Sequence, residues 1–238
     1  MKILVDTHTH TIASDHAYST VLENAAAAAR AGLEALAVTD HTPPLTDAPR
    51  MSHFRNLRVL DRVIDGVTIL RGAELNICDA RGGLGVADSD LSDMDLCIAS
   101  IHTVVYGSPD PAENLRAYQG AMEDARVKII GHPEDGRAPV DFFALARAAR
   151  DAGVLIEVNN SSLRPISYRQ NTRENMTALL RACEACGAHI CLGTDAHFAP
   201  AVGRFDESLS LLEELHFPEE LVANTSLEKF LDFIRRRS

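Results

Sequence analysis

Seven short apolar runs recur along this chain, and most run into a side chain able to bind a metal ion. The runs are Lys2–Asp6, Ala35–Thr39, Thr68–Gly72, Leu96–Ser100, Lys128–Gly131, Val154–Val158 and Ile190–Gly193. Several lack polar–apolar alternation, as expected of strands covered on both faces in a parallel sheet. Helical patterns fall between them near 20–31, 53–64, 111–125, 140–152, 173–186 and 205–215. A last helix is expected from Ser226, where Ser-Leu-Glu-Lys forms an N-cap signal. Gly32, Gly153 and Gly187 stand where helices should stop.

Such βα repetition calls for a parallel sheet with right-handed crossovers. Seven units without a Pro- or Ser-rich linker predict one α/β domain over residues 1–238, closed as a barrel. An open doubly wound sheet is the alternative that periodicity leaves open. With 238 residues, 46% of them hydrophobic, the chain has enough core for a barrel, which typically takes about 250 residues. The segment Asn76–Leu91 is long for a βα loop, and its Gly82–Gly83 pair predicts a small hairpin there.

The chemistry lies at the strand ends. The first run leads into Asp6-Thr7-His8-Thr9-His10 and the second into Thr39-Asp40-His41. The third leads to Glu74, the fourth to His102, the fifth to His132 and the sixth to Asn159-Asn160-Ser161-Ser162. The seventh leads to Asp195-Ala196-His197. From His10 through His41, Glu74 and His102 to His132, successive positions differ by 31, 33, 28 and 30 residues, one βα unit each time. A ring of parallel strands gathers such residues at its carboxyl end, where barrel active sites form. His8 and His10 are two apart, so on extended backbone both imidazoles face one side. Asp195 and His197 repeat that spacing, and His16 follows in the first loop.

Taken singly, a histidine after a strand is more often a hydrogen-bonded structural residue than a ligand. Seven histidines and two carboxylates at repeated strand ends are not accounted for that way. Nitrogen and carboxylate donors without cysteine suit zinc, iron or manganese rather than calcium. Nine ligands are too many for one ion and suit two or three. Three divalent ions with Glu74, Asp195 and neutral imidazoles would leave a positive local field that attracts a phosphate group. His189 and His216 lie off the strand ends and read as structural, whereas His53 in the second loop is a candidate for the site mouth.

Composition narrows the partners. A net charge of −11 argues against binding a nucleic-acid backbone. The short run Arg235–Arg237 reads as a solvated helix end. No apolar stretch approaches the roughly 18 residues of a membrane span, and MKILVDTHTHT lacks the apolar core of a signal peptide. Five cysteines, an odd number, fit a reducing cytoplasm. Cys183 and Cys186 have redox-motif spacing but sit late in a helical pattern, whereas thiolate activation favours a helix N-terminus.

These motifs resemble the PHP (polymerase and histidinol phosphatase) superfamily, especially its stand-alone phosphatase branch. The resemblance rests on Asp6-Thr7-His8-Thr9-His10-Thr11, His16-Ala17-Tyr18-Ser19-Thr20, Thr39-Asp40-His41 and Leu70-Arg71-Gly72-Ala73-Glu74-Leu75-Asn76. It also rests on Gly131-His132-Pro133, Glu157-Val158-Asn159-Asn160-Ser161-Ser162 and Gly193-Thr194-Asp195-Ala196-His197. The resemblance implies a distorted (βα)7 TIM-like barrel with three divalent transition metal ions, zinc first, manganese or iron otherwise. It implies that His8, His10, Glu74 and Asp195 hold the first ion. Glu74 would bridge to a second on His102 and His132, and His16, His41 and His197 would hold the third. It further implies a small phosphorylated metabolite as substrate, histidinol phosphate being the best-known example, and a homo-oligomer such as a trimer.

The expected mechanism is in-line attack on phosphorus by a hydroxide shared between two ions, with Glu74, His102 and Asp195 as the catalytic metal-holding set. Arg71 is assigned to phosphate contact, with a structural ion pair as its alternative role. His53, Asn159, Asn160 and Ser161 are the other expected substrate contacts. Asp6 and Asp40 are expected to orient ligating imidazoles. Two other enzyme classes compete: a PHP-type exonuclease or phosphodiesterase, and a metal-dependent amidohydrolase. The amidohydrolase often needs a modified lysine, and Lys2, Lys128 and Lys229 all lie away from strand carboxyl ends.

Overall fold

The computed structural model describes residues 1–236; Arg237, at the end of the basic run, lies outside them. Strands β1 (Val5–Asp6) and β2 (Ala35–Val38) flank helix α1 (Val21–Ala31). Helix α2 (Met51–Asn56) leads through a short 3-10 turn to β3 (Val63–Ile64) and the long β4 (Val67–Asn76). Then come β5 (Leu96–Ser100), α3 (Pro111–Ala121), β6 (Val127–Gly131), α4 (Phe142–Ala152) and β7 (Leu155–Asn159). The chain ends with α5 (Thr172–Cys186), β8 (Ile190–Gly193), α6 (Asp206–Glu214) and α7 (Leu227–Arg235). Gly32, Gly153 and Gly187 are left-handed C-caps, and the Ser226 hydroxyl accepts from Lys229 N to start α7.

Seven strands run parallel in the order β1-β2-β4-β5-β6-β7-β8, one sheet following chain order. The ends meet through a parallel bridge between Thr9 and Ala196. Asp195 N donates to His8 O at 2.9 Å and His10 N to Ala196 O at 2.9 Å. Lower down, Asn224 fills the seam: its Nδ2 donates to Val5 O and Leu192 O, both at 2.8 Å. The result is a single-domain, distorted (βα)7 TIM-like barrel.

Two details differ from the sequence reading. The hairpin lies before β4, not at Gly82–Gly83: β3 pairs antiparallel with β4 through Asp65 and Gly66, at φ 52° and 80°. Two positive-φ residues form the turn whose twist matches a hairpin, and Asp-Gly is a favoured pair for it. This hairpin also cuts the helix expected over 53–64 at Asn56. The Gly82 segment is instead a folded turn, with Cys78 N donating to Gly83 O at 2.7 Å. Gly82 packs against the end of α3, where a Cβ would lie 2.2 Å from Ala121 N.

Packing explains which end of the barrel is open. One apolar layer lies between strands and outer helices. The other fills the barrel with Val5, Ala35, Leu70, Ile98, Ile129 and Leu155, among others. Phe230 and Ile234 of α7 complete that inner layer, fully and almost fully buried. Leu227 N donates to a Glu34 carboxylate oxygen at 3.0 Å, just ahead of β2, so α7 plugs the amino end. The carboxyl end is left to polar side chains. Replacing Phe230 by Ala should cost about 3–5 kcal/mol of stability through lost burial and a residual cavity. Urea unfolding checks this; a loss below about 1 kcal/mol would mean the plug carries little of the fold.

Candidate metal centre

His8 and His10 stand on the extended chain after β1, with Nε2 atoms 3.0 Å apart. Glu74, in β4, turns Oε2 to this pair, 3.4 Å from His8 Nε2 and 3.7 Å from His10 Nε2. Asp195 adds Oδ1 from the other side, 3.2 Å from His10 Nε2 and 3.7 Å from His8 Nε2. The other oxygen of Glu74, Oε1, lies 2.9 Å from His132 Nε2 and 3.3 Å from His102 Nε2. His16 and His197 face each other with Nε2 atoms 2.8 Å apart. His41 lies between these groups, its ring 4.3 Å from His10 and 5.0 Å from His16 between centroids. All nine residues expected as ligands therefore meet in one place. Three overlapping sets, His8–His10–Glu74, His10–His41–His197 and His41–Glu74–His102, each keep their donor atoms within 4.8 Å.

The donors face each other with too few protons between them. His8 Nδ1 lies 2.7 Å from Glu157 Oε1, and His102 Nδ1 lies 2.7 Å from Asn76 Oδ1. His197 Nδ1 is 3.0 Å from Asp195 O, and His16 Nδ1 is 2.7 Å from Asp47 Oδ2. Each acceptor keeps the proton on Nδ1, so a neutral ring presents a bare Nε2 lone pair to the centre. Two bare lone pairs 2.8 Å apart, as for His16 and His197, repel unless a cation lies between them. Glu74 Oε2 is buried without a hydrogen-bond donor, and His41 Nδ1 approaches it at 2.7 Å outside hydrogen-bond geometry. These atoms fit divalent ions: ligands about 2.0–2.1 Å from a shared ion stand roughly 3 Å from one another.

The electrostatics follow the same arrangement. Burial pushes the Glu74 carboxyl up, but His102, His8 and His41 outweigh it and hold it well below its usual range. Burial likewise opposes ionisation of Asp195, which His8, His10 and Arg169 overcome. Burial holds His10 well below the ordinary imidazole range, with His197 and His41 adding to the effect, and brings His102 down to about 4. His8 and His41 go the other way: burial works against their charge, but Glu157, Glu74 and Asp195 raise His8, and Glu74 and Asp195 raise His41. A metal ion competes with those protons.

The other residues expected at the site divide. Ser161 lines the pocket of ≈ 330 Å³ over the cluster, together with His16, His41, Asp195 and His197. Asn160 borders an adjoining pocket, with its Oδ1 accepting from Ser208 N at 3.0 Å. Asn159 is fully buried beneath, donating to Glu157 at 3.1 Å and Asp195 at 3.2 Å. Arg71 is not brought to the cluster. Its guanidinium donates to Arg58 O and Leu60 O, both at 2.8 Å, carbonyls of the 3-10 turn Leu57–Val59 and the residue that ends it, ahead of β3. His53 is also outside the cluster, its Nε2 3.2 Å from Asp40 Oδ2. Asp6 and Asp40 bond none of the nine ligand side chains; Asp6 instead accepts from the backbone N–H of His8 at 3.4 Å. Asp6 holds Thr194 and Gly203, while Asp40 holds Thr11, Ser14 and His53.

Two positioning residues escaped the sequence reading. Glu157 lies in β7 with both oxygens engaged: Oε1 by His8, Oε2 by His132 N at 2.8 Å and by Asn159. Gly193 leaves room for it, since a Cβ there would come within 2.3 Å of Glu157 Oε1. A carboxylate in an otherwise apolar strand was the available signal, because buried charge requires partners. Arg169, in the loop after β7, donates to Asp195 Oδ2 at 3.1 Å and Ser162 Oγ at 2.9 Å. Burial opposes its charge, but Asp195, Tyr168, Glu134 and Glu157 together outweigh burial and keep it protonated. Nothing in its local sequence marks it. Both His132 and Asp195 have positive φ, 31° and 52°, strain that is typically held in place at functional sites.

Comparison with known proteins agrees with this geometry. The family described as PHP domain matches residues 6–161. A protein named probable phosphatase from Acetivibrio thermocellus is 43% identical over 237 residues, covering 100% of this chain and 97% of its own. Probable phosphatase TTE1963 of Caldanaerobacter subterraneus subsp. tengcongensis is 39% identical over 238 residues, with 100% and 93% covered. The chain belongs to the PHP family. Among solved structures, histidinol phosphate phosphatase (HISK) from Lactococcus lactis, complexed with zinc, L-histidinol and phosphate, superposes with a TM-score of 0.62. It is 17% identical, with 92% of this chain and 95% of that chain covered. A chain of archaeal ribonuclease P with mature tRNA gives 0.60 at 15% identity, covering 98% and 90%. At these identities the likeness is one of fold, which hosts more than one chemistry.

Glu157→Gln tests the support beneath the centre. An amide can accept on only one of two atoms, so one of Glu157's present donors loses its acceptor. Metal affinity should fall about 10- to 100-fold, measured by competition with a chromogenic chelator. Unchanged affinity would show that His8 is oriented without Glu157.

Proposed function

We propose that the protein is a metal-dependent phosphatase acting on a small phosphomonoester. The observation that carries this reading is the set of bare, facing nitrogen and oxygen donors at the open end of the barrel. The names of its full-length relatives support it. In this reading His8, His10, Glu74 and Asp195 hold one divalent ion. His102, His132 and the second oxygen of Glu74 hold another, and His16, His41 and His197 a third. The approach of Glu74 Oε1 and Oε2 to different histidine pairs supports a shared carboxylate. Zinc is the first candidate, supported by the zinc in the Lactococcus lactis protein, and the same donors accept manganese or iron.

Bound divalent ions would lower the pKa of a water nucleophile and neutralise charge on the phosphoryl oxygens. The chain's own residues prepare for this. Glu157, Asn76 and the Asp195 carbonyl set imidazole tautomers, so the Nε2 atoms point inward without rearrangement. Arg169 and Asn159 occupy Asp195 Oδ2, which turns Oδ1 to His8 and His10. Ser161 borders the pocket where a substrate oxygen would enter. Arg71 and His53 have no part in this reading, because their side chains are bound elsewhere. The acidic chain, at −11, favours a small substrate over a nucleic acid.

The test is hydrolysis of p-nitrophenyl phosphate beside bis(p-nitrophenyl) phosphate by wild type and His41→Ala. The monoester should be the better substrate, and His41→Ala should lower kcat/KM about 100-fold or more, roughly 2.7 kcal/mol of transition-state stabilisation. No monoester turnover with zinc, manganese or iron supplied would contradict the proposal.

A further inference from the structure

The pocket over the cluster does not end at the metal ligands. A second lobe of ≈ 240 Å³ adjoins it, and the two share Arg164, Thr194, Phe198 and Ala201 as common walls. This lobe reaches away from the histidines, so it is placed for the group that leaves when a phosphoryl group sits over the cluster. Its size exceeds the roughly 150 Å³ of a cavity that takes up benzene.

The lining defines the guest. Phe198, 56% exposed, presents a ring at the junction of the lobes, and Pro200 and Ala201 extend the apolar wall. Opposite in character, Asn160 is 5% exposed with Oδ1 engaged by Ser208 N, and its Nδ2 has no partner among the described residues. Charges nearly cancel, since Arg164 and Arg204 stand against Asp206 and Glu207, and Arg204 lies 3.4 Å from Asp206. A neutral lobe gives little to an ionic leaving group, whereas a ring face and an unspent amide donor suit a planar group with an acceptor at its edge.

We infer that this lobe is a leaving-group subsite for an uncharged aromatic or heteroaromatic alcohol, with Phe198 stacking on the ring and Asn160 donating to its edge. The inference rests on the phosphatase reading and deepens it. It predicts selectivity by the shape of the leaving group rather than by its charge.

The test compares 2-naphthyl phosphate with glycerol 3-phosphate in wild type, Phe198→Ala and Phe198→Tyr. Phe198 is exposed, and circular dichroism verifies that each variant folds. Wild type should prefer the naphthyl ester in kcat/KM. Phe198→Ala should reduce that preference about three- to tenfold, chiefly through KM, with Phe198→Tyr restoring it and inhibition by inorganic phosphate unchanged. Equal treatment of both esters by wild type, or an equal loss on both in Phe198→Ala, would overturn the subsite while leaving the phosphatase reading intact. Should neither ester turn over, the phosphatase reading fails, and direct titration with 2-naphthyl phosphonate still decides the lobe: binding weakened by Phe198→Ala supports it, and absent or unaltered binding overturns it.

Discussion

Ligand atoms crowded together from seven imidazoles and two carboxylates, with too few protons to pair them, are the constraint around which this barrel is built. Such an arrangement repels itself unless cations enter it, and burial raises the cost by removing water. The protein does not relieve the conflict by turning rings away. Glu157, Asn76 and the Asp195 carbonyl instead hold Nδ1 atoms so that Nε2 atoms stay inward. Left-handed backbone at His132 and Asp195 adds strain in the same place. Stability is given up locally for a geometry that a divalent ion can restore on binding.

The rest of the fold serves that arrangement. Parallel strands in chain order bring residues from both ends of the sequence together, which is how His8 and Asp195 become neighbours. Helix α7 and Asn224 close the amino end and the β1–β8 seam. Polar side chains are thereby confined to the other mouth, where the loops after β7 and β8 line the pocket. Ions bound there would give an acidic chain a local positive field, which supports an anionic substrate without a basic surface.

Much of this was legible in the sequence because one rule governed it. Parallel strands repeat at nearly constant spacing, and each strand end delivers one or two side chains to the same mouth. Eight of the nine cluster residues followed from that rule, His16 lying in the first loop, and the Gly32, Gly153 and Gly187 caps followed from glycine's fitness for left-handed helix ends. Sequence proximity to Glu74 says nothing of the direction of Arg71; the carbonyls of Arg58 and Leu60, just ahead of β3, hold it away from the cluster. The β3–β4 hairpin was missed because β3 fell inside the apparent helical pattern over 53–64, with Asp65–Gly66 directly after it, while Gly82–Gly83 answered a packing need against α3. Arg169 reaches Asp195 only through the loop's tertiary path, which no local pattern encodes.

The central claim is that this cluster is a polynuclear metal centre. Elemental analysis of untagged protein, dialysed after exposure to zinc, manganese and iron, tests it most directly. The account predicts two to three transition metal ions per chain, falling in a His8→Ala variant that remains folded. One ion or none per chain would contradict it.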